Sequence, residues 1–265
     1  DISTGEFATA QFRDRESLES EMMRYSPAEV IIPEGNENLE NWMKALGVNI
    51  TPCKADSWMY PVSKKALEER FGSVEELNTY PMAITAAGAI LSYAVDTQFS
   101  DLPHLRPPSL MVKAKTMTLD AVTLRNLEIV RTISDSSKDT LFAVLNKSST
   151  AGGSRRMKDW LLRPLHDLER INERHDAVQE LFENTLSRRE IRDILKGFQD
   201  VERLLSRLGH GSISPRDLDS LKSSLNTVKD LKQFLSEEPL KSKLMKKLVK
   251  SIDTHKQVSK KLEEA

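Results

Sequence analysis

The sequence contains one cysteine, Cys53, among 265 residues. A single thiol excludes an internal disulfide and a zinc site built from several thiolates, and its expected role is that of a small apolar residue in a core. No stretch approaches the roughly 20 consecutive apolar residues that a membrane-spanning helix needs. The N-terminus also lacks a basic and apolar leader. These absences predict a cytosolic or nuclear protein that does not contact a membrane.

Neither sign of charge predominates, because 39 Lys and Arg are balanced by 40 Asp and Glu. Residues 1–115 contain 11 Lys and Arg against 17 Asp and Glu, whereas residues 116–265 contain 28 against 23. A nucleic-acid-binding domain usually has clustered cations and a pI above about 9. We therefore expect any contact of this chain with DNA to be peripheral and weak.

The first 80 residues alternate short apolar runs with helical periodicity, which is typical of a sheet covered by helices. A third helix, over residues 84–97, contains a run of small residues that lets it lie close to the sheet. Three prolines within residues 101–108 then predict a domain boundary. The strands are predicted at residues 6–12, 28–32 and 48–53, and the first two helices at residues 15–25 and 38–46, with Gly47 following the second helix.

The remaining residues, 109–265, predict an all-helical domain, in which only residues 113–119 have strand character. Apolar residues at helical spacing predict helices over residues 168–182 and 201–208. Further on, Ser214, Pro215 and Asp217 have the residue types of a helix N-cap, N1 and N3. The helix that they begin extends to Leu235, and a second helix after Pro239 extends to Leu262. Each of these two is expected to be about 30 Å long.

Three motifs follow one another at the start of this helical part. They are MTLDAVTLRNLE at residues 117–128, LNKSSTAGGSR at residues 145–155 and WLLRPL at residues 160–165. In this order and spacing they resemble the opening of the core domain of the MutS family of DNA mismatch-repair proteins. Ser148 stands where that family usually has threonine, and it retains the hydroxyl group.

Two further segments extend the resemblance over essentially the whole chain. Residues 1–7, DISTGEF, resemble the start of the family's connector domain, and residues 86–93 with 102–105 resemble its last helix and exit. The resemblance implies an α/β connector domain of RNase H-like topology over residues 1–108. It implies an incomplete all-α lever or core domain over residues 109–265.

The resemblance also implies a function. The parent protein would dimerise, encircle mismatched double-stranded DNA, use ATP with Mg²⁺ and recruit MutL, in the cytoplasm and associated with the nucleoid if it is prokaryotic. The chain begins without Met and stops within an amphipathic pattern, so we expect a fragment of that protein. The Walker pattern GxxxxGK[ST] is absent. The connector and lever are therefore expected to bind no cofactor, to have no enzymatic activity and to transmit allosteric signals between DNA and the ATPase domain.

Two groups of residues are candidates for a role in that transmission. Residues 152–156, GGSRR, have the composition of a phosphate-binding turn before a helix. The alternative interpretation is a helix start that places Arg155 for an ion pair, and the resemblance makes Arg155 an interdomain packing and signalling residue. On the first helix, Glu16, Glu19 and Arg24 are candidates for exposed residues that dock MutL.

Other interpretations are weaker. A nuclease would need several converging carboxylates, but Asp1, Glu6 and Asp96 are scattered and the second and third predicted strands add only Glu29. The histidines, among them His166, His175 and His210, stand alone, which indicates surface or capping roles. A lysine-rich run indicates a solvated helix face or, less commonly, one that faces DNA. The lysines of this run are Lys241, Lys243, Lys246, Lys247 and Lys250.

The alternative function to mismatch repair is that of a helical scaffold that binds protein partners.

Overall fold

The structure is a computed structural model that describes residues 1–98, 102–111, 116–117, 119–134 and 136–264. The chain divides into two compact units. The first contains Asp1–Lys113 and Leu119–Leu124, and the second contains Ala114–Thr118 and Arg125–Ala265. In the part of the chain that is described, no helix is both long enough and apolar enough to cross a membrane.

The first unit alternates strands with helices, as predicted. β2 pairs with β3 in parallel, from Val30 opposite Ile50 to Pro33 opposite Cys53, and β1 pairs with β4 in parallel. Within the described ranges these are two separate two-stranded sheets. The elements are β1 (Ala8–Thr9), α1 (Arg15–Tyr25), β2 (Val30–Pro33), α2 (Glu37–Ala45), β3 (Ile50–Cys53), α3 (Tyr60–Phe71), α4 (Pro81–Gln98) and β4 (Ser109–Leu110). The short α5 (Ala121–Asn126) begins in the first unit and ends in the second.

Polar caps determine where the first helices begin and end. The Asp14 side chain accepts a hydrogen bond from Ser17 N at 2.7 Å, and α1 has the predicted bounds. Asn36 accepts from Leu39 N in the same way, so α2 begins one residue before the predicted start. Gly47 ends α2 with a φ of 70°, as its predicted position requires. Strand β2 ends at Pro33, one residue beyond the predicted end. The next residue, Glu34, donates its N–H to Cys53 O, so hydrogen bonding to β3 continues past the proline.

Helix α4 packs mainly against a helix and not against the sheet, which corrects the prediction. A Cβ added to Gly88 would lie 2.3 Å from Ser63 Cβ on α3, so the two helices touch almost backbone to backbone. Contact with the strands occurs near the start of α4, where Thr9 Oγ1 donates to Ala83 O at 2.8 Å. The core that α3 and α4 share with β1 consists of Phe7, Leu67, Val74, Leu77, Ile84, Ala87 and Leu91.

In the described residues of the second unit the regular elements are helices, and an isolated antiparallel bridge pairs Thr116 with Leu165. Residues 113–115 and 118 of the predicted strand lie outside the described residues. The elements are α6 (Leu141–Leu145), α7 (Ala151–Leu162), α8 (Leu168–Glu183), α9 (Thr185–Leu195), α10 (Val201–Gly209), α11 (Pro215–Glu237), α12 (Lys243–Ser251) and α13 (Lys256–Glu264).

The longest helix, α11, begins with the predicted capping box. Ser214 Oγ accepts from Asp217 N at 3.2 Å, and Asp217 Oδ2 accepts from Ser214 N at 3.0 Å. Its 23 residues give a length of about 34 Å. Near its end, Leu235 packs with Ala177 of α8 and Met245 of α12 in a buried cluster. The cap fixes one end of α11 and this cluster fixes the other.

The helix predicted after Pro239 is in fact two helices of nine residues, each about 14 Å long. The helical conformation is interrupted at residues 252–255, where His255 has a φ of 44° and donates its N–H to Asp253 Oδ1 at 2.9 Å. Lys232 Nζ of α11 donates to Ile252 O at 2.6 Å. The N–H of His255 and the carbonyl of Ile252 are thus hydrogen-bonded although the helix is interrupted there, which lowers the cost of the interruption. The buried residue of α12 is Met245, whereas Leu248 is 49% exposed.

Substitutions in and near α11 test these assignments by chemical unfolding. Leu225, which is 8% exposed, should cost about 2–5 kcal/mol of unfolding free energy when replaced by Ala. Ser214→Ala removes the cap and should cost about 0.5–2 kcal/mol. As a matched control, Leu186→Ala changes a leucine that is 83% exposed and should stay within about 0.5 kcal/mol. Equal urea midpoints for the two leucine variants would show that Leu225 does not pack as described.

Candidate functional site

The LNKSSTAGGSR motif forms the start of helix α7. Thr150 occupies the N-cap, where its Oγ1 accepts from Gly153 N at 3.0 Å. A Cβ on Gly153 would also lie only 3.0 Å from that oxygen, so a glycine suits the position. Asn146 Nδ2 donates to Ser154 Oγ at 2.8 Å and ties the preceding turn to the helix. Residues 152–156 thus lie inside the helix and not before it, and Thr150 already accepts the N–H of Gly153 that the phosphate interpretation would use.

Arg155 makes the ion pair that the second interpretation predicts. Its Nη1 and Nη2 donate to Asp200 Oδ2 and Oδ1 at 2.9 and 2.7 Å, and Nη2 also donates to Glu202 Oε2 at 2.6 Å. Asp200 is the N-cap residue of α10 and Glu202 lies in its first turn. One guanidinium therefore joins the start of α7 to the start of α10. Its signalling role stays a prediction.

The planar fork of an arginine suits this arrangement, because it presents two parallel N–H groups to one carboxylate. The hydrogen bonds from Arg155 hold the pKa of Asp200 below its ordinary value, and they raise the pKa of Arg155. About a third of the Arg155 side chain is exposed, so water and salt reach the network. The network therefore joins two helices at a site that solvent reaches.

A second polar link in this unit has no signal in the sequence spacing. Glu180 of α8 accepts from Lys241 N at 2.5 Å and from Ser242 N at 2.9 Å, just before α12. Ser187 of α9 donates to Glu238, which follows α11. Two carboxylates thereby connect the α8–α9 junction with the α11–α12 junction. Their partners lie more than 50 residues away in the chain, which is why periodicity does not find them.

The three docking candidates on α1 differ in accessibility. Glu16 is exposed, but Glu19 is partly buried and accepts from Trp42 Nε1 at 2.6 Å. Arg24 is only 8% exposed, and its Nη1 donates to Glu21 Oε2 at 2.7 Å. The prediction that Arg24 is exposed is wrong, because the buried face of α1 consists of Ser20, Glu21 and Arg24.

The residues considered for metal or nucleophilic chemistry lie apart. Across the described ranges, no three His, Cys, Asp and Glu side chains converge as metal ligands would. His166 and His175 are exposed, and His210 lies at the C-cap of α10. Burial raises the pKa of the Cys53 thiol, so little of the reactive thiolate forms near neutral pH.

The lysine-rich run is partly engaged in ion pairs. Lys243 Nζ lies 2.8 Å from Glu173 Oε1 and 3.5 Å from Glu169 Oε1. Lys246, Lys247 and Lys250 are exposed. This leaves a small cationic face on α12, much smaller than a typical DNA footprint.

Comparison with known proteins assigns both parts of the chain. The family model described as MutS domain II matches residues 1–106, and the model described as MutS domain III matches residues 122–265. The chain is 38% identical over 249 residues to the DNA mismatch repair protein MutS of Methanosarcina acetivorans, which covers 90% of the chain and 28% of that relative. It is 36% identical over 275 residues to MutS of Pelotomaculum thermopropionicum, covering 100% of the chain and 32% of the relative. It is 35% identical over 254 residues to MutS of Nostoc punctiforme, covering 89% and 28%. The chain spans less than a third of the length of these relatives.

The Arg155 network makes a pH-dependent prediction. Arg155→Gln should lower the unfolding free energy at pH 7 by about 1–3 kcal/mol, the range for hydrogen bonds to charged groups. Because the pKa of Asp200 is held below its unfolded value of about 3.9, this stabilisation is complete above that pH and is lost as the pH falls through the lowered pKa. Urea unfolding of the unmodified chain and of Arg155→Gln, at pH 7 and at pH 3, measures the loss of unfolding free energy at each pH.

The neighbouring Arg156 provides the control. Its side chain is 68% exposed and lies 3.5 Å from Asp159, so Arg156→Gln should change the unfolding free energy by less than about 0.5 kcal/mol. An Arg155→Gln effect that is equally large at pH 3, or equal losses in the two variants, would contradict the network.

Proposed function

Since the chain belongs to the MutS family, we propose that it forms the connector and lever region of a protein that binds mismatched double-stranded DNA. The observation that carries this proposal is the order of the matches, with domain II over residues 1–106 followed by domain III over residues 122–265. In this proposal the domain boundary lies at residue 108, the first domain has RNase H-like topology and the second is incomplete. The parallel strand pairs flanked by helices support an α/β first domain.

The proposal extends to the parent protein, which is a cytoplasmic, nucleoid-associated homodimer that hydrolyses ATP with Mg²⁺ and recruits MutL. Nucleotide chemistry takes place outside these residues, so this chain itself neither binds ATP nor acts as an enzyme. DNA binding by the isolated chain is weak and shows no mismatch preference. The balanced charge and the few exposed lysines of α12 support this part.

The chain's own role in this proposal is mechanical. A helix transmits displacement along its axis only if its ends are held, and α11 is capped at Ser214 and packed at Leu235. Arg155 links the starts of α7 and α10, and in this proposal the link is made in one state and broken in the other. Allosteric coupling requires an element that has two states, and both ligands, here DNA and ATP, must shift the equilibrium between them.

A helical interaction scaffold unrelated to DNA repair is not favoured. Both units match models of one family in sequence order, and the relatives share 35–38% identity over most of the chain.

A substitution at Arg155 in the parent protein tests the mechanical role. Arg155→Gln should leave the affinity for a mismatched duplex without nucleotide unchanged, because the residue is assigned no DNA contact. It should reduce the effect of ATP on that affinity by at least about fivefold, the lower range of allosteric coupling. Fluorescence anisotropy of a labelled duplex with and without ATP gives both values, and Arg156→Gln is the matched control. Unchanged coupling in Arg155→Gln, or equal losses in both variants, would contradict the role.

A second experiment tests MutL docking on α1. Glu16 is the exposed candidate, so Glu16→Lys in the parent protein should weaken MutL recruitment about two- to fivefold, the range for an interfacial rim charge, without changing mismatch binding. Glu69→Lys reverses an equally accessible charge on α3 and should have no effect. Surface plasmon resonance on mismatched DNA, with MutL as analyte, distinguishes the variants. Equal recruitment by both would remove Glu16 from the docking face.

A further inference from the structure

Helix α1 buries an ion pair where an apolar contact is the usual choice. Arg24 is 8% exposed and Glu21 is 9% exposed, and their side chains meet at 2.7 Å one helical turn apart. Removing two charges from water is costly, and it is offset only when further hydrogen bonds satisfy the same groups. The other partner of Arg24 therefore indicates why the pair is buried.

That partner is a backbone carbonyl far along the chain. Arg24 Nη2 donates to Leu119 O at 3.0 Å, across 95 residues. Leu119 is itself buried, as is Leu124. The next side chain, Asp120, accepts from Thr123 N at 2.6 Å and begins the turn that leads into α5. The Arg24 guanidinium thus holds the carbonyl of Leu119, two residues before α5 starts at Ala121.

The position of this contact in the chain is significant. Leu119–Leu124 belongs to the first compact unit, although the residues on both sides of it, up to Thr118 and from Arg125, belong to the second. Arg24 supplies a charged donor to the first carbonyl of this short segment. A hydrogen bond from a charged donor is about twice as strong as a neutral one.

We propose that Arg24 is a positioning residue that fixes the segment Leu119–Leu124 on α1, with Glu21 neutralising and orienting its guanidinium. Arginine is required because its fork reaches two acceptors at once, whereas the ammonium of a shorter lysine side chain does not reach both. This contact holds the first residue of the segment, Leu119, within the first unit. It follows from the contacts within that unit and does not depend on the proposed function.

Hydrogen–deuterium exchange of the full 265-residue chain tests the proposal. Arg24→Lys retains the charge but loses the bond to Leu119 O, so the amides of Thr123 and Leu124 should exchange about tenfold faster, as expected for a lost hydrogen bond to a charged group. Amides in the core of α3 and α4 should exchange at the original rate. Arg13→Lys, at an exposed position before α1, is the matched control and should change neither region.

A double variant keeps the test decisive if the single one unfolds. Glu21→Leu with Arg24→Met replaces the pair by apolar side chains of similar size, which commonly preserves stability. Faster exchange confined to residues 120–126 in this variant supports the proposal. Unchanged exchange in that segment, or faster exchange that is uniform over the first unit, would overturn it, because Arg24 would then have no role or only a general structural one.

Discussion

The N–H groups at the start of each helix impose the constraint on which this fold depends, because four of them per helix have no partner within the helix. In the part of the chain that is described, eight helices besides α5, which Asp120 caps, meet this constraint with a polar N-cap side chain. Asn184 both ends α8 and caps α9, so no longer connection is needed there. Short connections keep neighbouring helices close in space. The capping residues are Asp14, Asn36, Thr140, Thr150, Asp167, Asn184, Ser214 and Ser242.

Carboxylates near these helix starts have a second use, which is to connect helices that are distant in sequence. Asp200 precedes α10 but binds Arg155 of α7 with both oxygens, and Glu180 accepts the backbone N–H groups that lead into α12. In both cases a negative charge lies where the helix dipole favours it. The links therefore stabilise each helix and its orientation at once, which suits a region whose proposed task is to transmit displacement.

Local signals in the sequence predicted some of the helices. Amphipathic spacing located α1, α2, α8 and α10, and spacing together with a polar cap located α11, whereas α3, α6 and α9 were not predicted. The Arg155 ion pair followed from its place at a helix start. Contacts between distant residues were not predictable. The burial of Arg24 depends on Leu119 O, the buried Ser63 of α3 faces Gly88 of α4, and the break before α13 depends on Lys232 from another helix. In each case a contact with a distant residue overrides the usual preference of a residue type for the surface or for a helix. The local sequence therefore predicted the opposite arrangement.

The break at residues 252–255 changes how α12 and α13 move. A continuous helix resists bending along its whole length, whereas two short helices joined by the four non-helical residues 252–255 rotate about a single joint. For a helix about 14 Å long, a rotation of about ten degrees at that joint displaces its far end by about 2 Å, close to half a helical turn. Lys232 spans the joint with one hydrogen bond to Ile252 O. Rotation at the joint must therefore disturb this hydrogen bond as well as the packing of α13 against α11.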